Sequence, residues 1–150
     1  MLNELKFNRI MREACEAAEA AAVQKLADMR KAGPQFKVYS ADIFGGRTSP
    51  ESEDSYMLDN CGGGWITIPG RGELISGIKK YGQPGRNARS YRGHILNWDA
   101  DKSVYKGYSL HFRTSLMGRQ EQGIPVAAHE AALAVLKSYG YKGYVRSYLS

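Results

Sequence analysis

Cysteine, histidine, proline and tryptophan are scarce in this chain of 150 residues, at two, three, five and two copies. Cys15 and Cys61 are too few for a disulfide framework and lack the companions of a zinc site. Nothing calls for an oxidising compartment, so a reduced cytoplasm is the expectation. Long apolar runs are missing too: no window approaches the roughly 20 residues that cross a bilayer. Glu4, Lys6, Arg9 and Arg12 interrupt the N-terminus where an export signal needs an unbroken apolar segment.

What is abundant is tyrosine, with ten copies, and glycine, with seventeen. Hydrophobic residues at 43% and charged residues at 24% are globular values, and the length suits one domain over 1–150. A net charge of +6 favours an acidic partner, either nucleic acid or an acidic protein face.

An eight-residue phrase occurs three times: YRGHILNW from Tyr91, YKGYSLHF from Tyr105 and YKGYVRSY from Tyr141. Each copy runs aromatic, basic, Gly, with a second ring at its end, and its alternation and turn-forming flanks predict a strand. KKYG (Lys79 to Gly82) and KSYG (Lys137 to Gly140) each close a helical pattern and lead into such a strand. The expected core is a duplicated strand-helix-strand unit. From Trp65 onwards the order is strand, helix, strand, strand, helix, strand, which is a ferredoxin-like α+β layout with an antiparallel sheet and two short helices.

Ahead of that core, Asn3 to Ala32 reads as one long helix, capped by Asn3, Ala-rich in its middle and stopped by Gly33-Pro34. Met11, Cys15, Ala18, Ala22, Leu26 and Met29 form its apolar stripe. Two occupants fit the stripe: the helix's own domain, or a partner or second copy, which would make a homodimer. Residues 35–44 read as an extra strand and 45–57 as a polar, mobile loop. Trp65 to Ile68 is a short strand between glycine turns, a helix follows from Glu73 to Tyr81, and the last helix spans Pro125 to Tyr139.

Several chemistries fail on inspection. The turn Gly70-Arg71-Gly72 at a helix start could offer N–H groups to a phosphate, but neither a dinucleotide fingerprint nor a P-loop is completed. Asp99, Asp101 and Ser103 open like a calcium loop, yet Val104 and Leu110 stand where the loop needs Gly and Glu. His94 and His111 sit in strands, but Leu96 and Arg113 occupy the hydroxyl positions of a two-histidine phosphoesterase. His129 is most simply a border residue of the last helix. No catalytic residue, metal or cofactor is therefore assigned.

RNA-recognition domains share the ferredoxin-like layout, and KGYSLHF imitates their basic-Gly-aromatic signature. In their register Ser109, His111 and Arg113 would be buried, a polar set that is costly to desolvate. The opposite register places Tyr108, Leu110 and Phe112 inside with Ile66, Ile68, Leu96 and Trp98. It leaves Trp65, Tyr91, Ile95, Tyr105, His111, Arg113, Tyr141 and Val145 on the reverse face, covered by the long helix or free for contact. The stretch 83–90 between helix and strand adds Arg86 and Arg89.

EACEAAEAA on the first helix, CGGGWITIPGRG in the middle and the terminal VRSYL together resemble a group of small, largely uncharacterised accessory proteins of tailed bacteriophages. That resemblance implies a protein made in the cytoplasm of an infected bacterium, where small non-enzymatic proteins block host defence machinery by binding it. The expectation is accordingly a non-enzymatic binding protein or inhibitor of a host nucleic-acid-handling or defence complex. Its partner-binding set is Arg71, Arg86, Arg89, Tyr91, Tyr105, His111, Arg113 and Tyr141. Direct RNA or DNA binding is the competing expectation, and a small enzyme of unrecognised class the third.

Overall fold

The computed structural model describes residues 2–33, 59–69, 72–82, 93–99 and 107–149, with residues 93–99 as backbone. The predicted strand 35–44, the loop 45–57, the arginine-bearing stretch 83–90 and the turn 100–103 lie outside the described residues, as do the expected placements of the Leu96 and Trp98 side chains. The elements, in chain order, are α1 (Glu4–Ala32), β1 (Gly62–Pro69), α2 (Glu73–Tyr81), β2 (Gly93–Asp99), β3 (Gly107–Arg113), α3 (Gly123–Ser138) and β4 (Tyr144–Leu149). The class is mixed α+β. All strand pairs are antiparallel, and the order across the sheet is β2-β3-β1-β4.

The helix α1 starts where Asn3 accepts a hydrogen bond from the Lys6 N–H at 2.8 Å and stops at Gly33, whose φ of +87° favours glycine. Its buried side is Phe7, Ile10, Met11, Ala14, Ala18, Ala22, Leu26 and Met29. It runs antiparallel to α3: a Cβ at Gly123, the start of α3, would stand 2.4 Å from Met29, and the Tyr139 hydroxyl just past its end donates to Glu13 at 2.5 Å. Alanines on both helices, including the buried Ala128 and Ala132 of α3, permit close approach of the two axes. The apolar stripe of α1 is thus buried against the rest of the chain.

The other side of the core is the sheet. Ile66 and Ile68 of β1 and Leu110 and Phe112 of β3 are buried, and Tyr108 packs half-buried beside them. Register explains this, because Ile66 pairs with Leu110 and Ile68 with Tyr108, and paired residues share a face. α1 belongs to this same core. It therefore does not cover the reverse face.

Three expectations are corrected. The strand β1 begins at Gly62, not at Trp65, so the glycines 62–64 are strand and not turn: they pair with Leu149, Tyr148 and Ser147. Val145 stands opposite Ile66 and packs against the core, so it does not belong to the reverse face. Tyr141 precedes β4 and also packs against the core, because the third refrain becomes strand only from Tyr144.

Candidate functional site: a cleft between the central strands

β1 and β3 pair from Ile66 and Leu110 to Pro69 and Gly107. β4 pairs with β1 from Gly62 to Thr67, and β2 pairs with β3 along its whole length, Gly107 to Arg113. Between the parted strands lies a cavity of about 560 Å³, with Gly62 to Trp65 on one side and His111 to Thr114 on the other. Leu116 to Gln120 form a third wall, Ile124, Pro125, Ala128 and His129 of α3 a fourth, and Tyr148 stands at the glycine side.

Close packing accounts for the glycine run. A Cβ at Gly62 would lie 2.1 Å from the Tyr148 carbonyl oxygen, and one at Gly63 would lie 2.6 Å from the Tyr148 ring. On the opposite side of the strand, a Cβ at Gly64 would come within 3.3 Å of Val126 on α3. The loop facing this run is tied down by backbone bonds: Gly62 N–H to Gln120 O at 3.0 Å and Gln122 N–H to Asn60 O at 2.8 Å. Asp59 adds a carboxylate at the α3 N-terminus, accepting from Gly123 N–H at 2.9 Å, where the helix dipole favours negative charge.

His129 ties the α3 wall of the cleft to β3. Its Nε2 accepts the Phe112 N–H at 2.9 Å, and its Nδ1 donates to the Pro125 carbonyl at 2.7 Å. This pair of bonds specifies the neutral tautomer, since a proton on Nε2 would oppose the Phe112 N–H. Burial pushes its pKa down to about 4, against the smaller upward pull of the Pro125 bond. His111, edge-on to His129 with centroids 6.4 Å apart, is also held below the usual imidazole range by burial. Both rings are neutral at pH 7.

On the reverse face the central residue is Trp65. His111 stacks on it at 6.1 Å, Tyr148 tilts against it at 5.9 Å, and the Arg146 guanidinium lies 5.9 Å from its ring. Its Nε1 is buried and has no hydrogen-bond partner among the described residues, and the same holds for Thr67 Oγ1. Arg113 donates from Nε to Met117 Sδ at 3.3 Å. Arg119 grips Glu121 through two bonds, at 3.0 and 2.5 Å. Burial alone would raise the Glu121 pKa, but the Arg119 bonds and charge prevail and hold the carboxyl below its ordinary range.

Of the residues expected to bind a partner, His111 and Arg113 are brought together on this cleft. Tyr141 is elsewhere: its hydroxyl donates to Glu73 at 3.0 Å, and burial followed by that bond pushes its pKa up to about 12. Arg71, Arg86, Arg89, Tyr91 and Tyr105 lie outside the described residues. Trp65, placed on the reverse face from sequence but not in the expected binding set, is joined there by Arg146 and Tyr148, which the sequence reading did not single out. The signal for the last two was present in the third refrain, whose Arg and closing ring alternate onto one face. Among the described residues no three His, Cys, Asp or Glu side chains are placed to hold a metal ion, and no helix is long and apolar enough to cross a membrane.

Comparison with protein families, with curated proteins and with solved structures finds no match to this chain.

Proposed function

We propose that this is a non-enzymatic binding protein, built on a duplicated ferredoxin-like core, that occupies the surface of an acidic partner. The observation that carries this reading is the convergence of rings and cations on one face: His111 and Tyr148 each against Trp65, with Arg146 over the indole and Arg113 at the cleft. Aromatic and arginine side chains of this kind dominate protein-binding surfaces. The titratable groups nearby are poor candidates for turnover. His129 uses both ring nitrogens, and Glu121 and Asp59 are held by Arg119 and the α3 N-terminus.

A protein partner is favoured over nucleic acid because base stacking needs an open ring face, whereas Trp65 already has His111, Tyr148 and Arg146 against it. The likeness of three sequence stretches to tailed-phage accessory proteins supports placing that partner in a bacterial nucleic-acid-handling or defence complex.

Affinity purification from expressing bacteria, with and without nuclease, tests the reading. The expected result is a partner that survives nuclease and is lost with the double variant Arg113→Gln, Arg146→Gln. Retention on oligonucleotides alone, with log affinity falling by roughly 0.7 to 0.9 per phosphate against log salt, would replace it with direct nucleic-acid binding.

A further inference from the structure

The outer edge of β4 is chemically unguarded. β4 is the last strand in the order β2-β3-β1-β4, and among the described residues only β1 pairs with it. A Cβ at Gly64 would meet the Arg146 carbonyl oxygen at 3.2 Å, and one at Gly62 the Tyr148 carbonyl oxygen at 2.1 Å, so these carbonyls turn towards β1. Successive residues of a strand direct their N–H and C=O groups to opposite sides, and those of Val145, Ser147 and Leu149 therefore turn outwards. Ser147 and Leu149 are also exposed. Proteins that stay monomeric blunt such an edge with Lys, Pro or a bulge. β4 holds no Lys or Pro, and its ladder with β1 runs unbroken from Tyr144 to Leu149. Of the large apolar side chains that the described residues leave exposed, Tyr144, Tyr148 and Leu149 all lie on this one short strand.

We infer that β4 pairs antiparallel with β4 of a second copy across a two-fold axis, continuing the sheet through a homodimer. Outward groups must meet outward groups, and charge selects among the registers that allow it. Val145 opposite Ser147 would set Arg146 against its own copy, and like charges directly opposite are destabilising. Ser147 opposite Ser147 keeps Val145 to Leu149 of each strand in the ladder, with Arg146 across from a tyrosine and Val145 across from Leu149. Moving the axis further along the strand in either direction shortens the overlap. In the chosen register Leu149, 62% exposed, gains an apolar neighbour and is drawn out of water. The strand is thus complementary to itself, which is why a second copy is the occupant. A two-fold normal to the sheet preserves its faces, so the two Trp65 clusters lie on the same side of the dimer.

Sedimentation of the full chain over a range of concentrations should show a monomer–dimer equilibrium. Ser147→Pro deletes the outward N–H and spares the bonds to β1. It should raise the dimer dissociation constant about tenfold or more, since the axis removes the bond from both copies. Leu149→Lys, a charge on the edge, should weaken the dimer in the same direction, and it decides the matter if melting shows that the proline variant does not fold. In a Cys15→Ala, Cys61→Ala background, Ser147→Cys should give a disulfide-linked dimer on mild oxidation, because hydrogen-bonded residues directly opposite have Cα atoms about 5.5 Å apart, within disulfide reach. Ser138→Cys, exposed at the end of α3, is the control and should stay monomeric under oxidation.

A monomer at every concentration would overturn the edge pairing, and so would a dimer that ignores both Ser147→Pro and Leu149→Lys. Cross-linking of Ser138→Cys as fast as Ser147→Cys would overturn it as well. None of these results touches the binding-protein reading, which stands or falls on partner capture.

Discussion

The two faces of the sheet are made by the same strands and obey opposite rules. Toward the helices, Ile66, Ile68, Leu110 and Phe112 meet the apolar sides of α1, α2 and α3 in one core. On the reverse face the adjacent residues are Trp65, Thr67, His111 and, from β4, Arg146 and Tyr148. There the side chains are rings, cations and hydroxyls, and two buried polar atoms have no partner among the described residues. Each such orphan costs about 1–3 kcal/mol. A chain optimised only for stability would have filled those positions with aliphatics, so the contrast separates a face built to hold the fold together from one that carries unspent hydrogen-bonding capacity.

Removing bulk from the helix side should have the largest effect. Ile66→Ala, at a fully buried central position, is expected to cost about 2–5 kcal/mol, measured as a lower urea midpoint at unchanged slope. A loss below 1 kcal/mol would mean that this face is not the core.

Acid comes next, through His129. Its folded pKa, about 4, lies below the unfolded value near 6.5, so between those values the unfolded chain binds the extra proton. Stability is therefore complete above pH 6.5 and declines as pH falls towards 4, by about 3 kcal/mol in all. His111, shifted in the same direction, adds to the decline. Urea titrations across that window should show a much flatter profile in His129→Gln, and an equal slope in both proteins would refute the neutral bridge.

A smaller loss is expected where β4 meets the glycines. Gly62→Ala puts a methyl against the Tyr148 carbonyl and should cost about 1–3 kcal/mol, the scale of overpacking. Thr67→Val sharpens the comparison from the other direction. It removes the unpartnered hydroxyl next in sequence to Ile66, and a gain of about 1 kcal/mol in thermal or urea unfolding is expected. Arg146→Gln should leave stability within about 0.5 kcal/mol while weakening partner capture, because its guanidinium lies over the Trp65 ring on the reverse face.

Much of the helix side was legible. The stripe from Met11 to Met29 appears from spacing alone, as does the inward register of Leu110 and Phe112, because burial imposes a period of 3.6 on a helix and 2 on a strand. The reverse face was legible only in part. His111 and Arg113 follow from alternation, and both reach the cleft. Tyr141 misled because a refrain in sequence need not begin its strand at the same letter, and Tyr141 turns to Glu73 before β4 starts. The glycines of β1 looked like turn residues, since nothing local reveals that Tyr148 packs over Gly63. Nor does anything local mark His129 as a bridge, because its partners come from β3 and from its own helix.

The sequence by itself determined which residues seek one another's company: an Ala-lined helix with a single apolar stripe, strands with one greasy side, a basic chain rich in tyrosine. Periodicity and composition are local quantities, and the chain carries them wherever it goes. Only the tertiary structure decided that the β1–β3 ladder ends at Ile66 and Leu110, that a histidine ties α3 to β3, and that Trp65 keeps a buried donor with no acceptor among the described residues. Those facts depend on which segments, distant in sequence, arrive at the same place, and the chain acquires them only by folding.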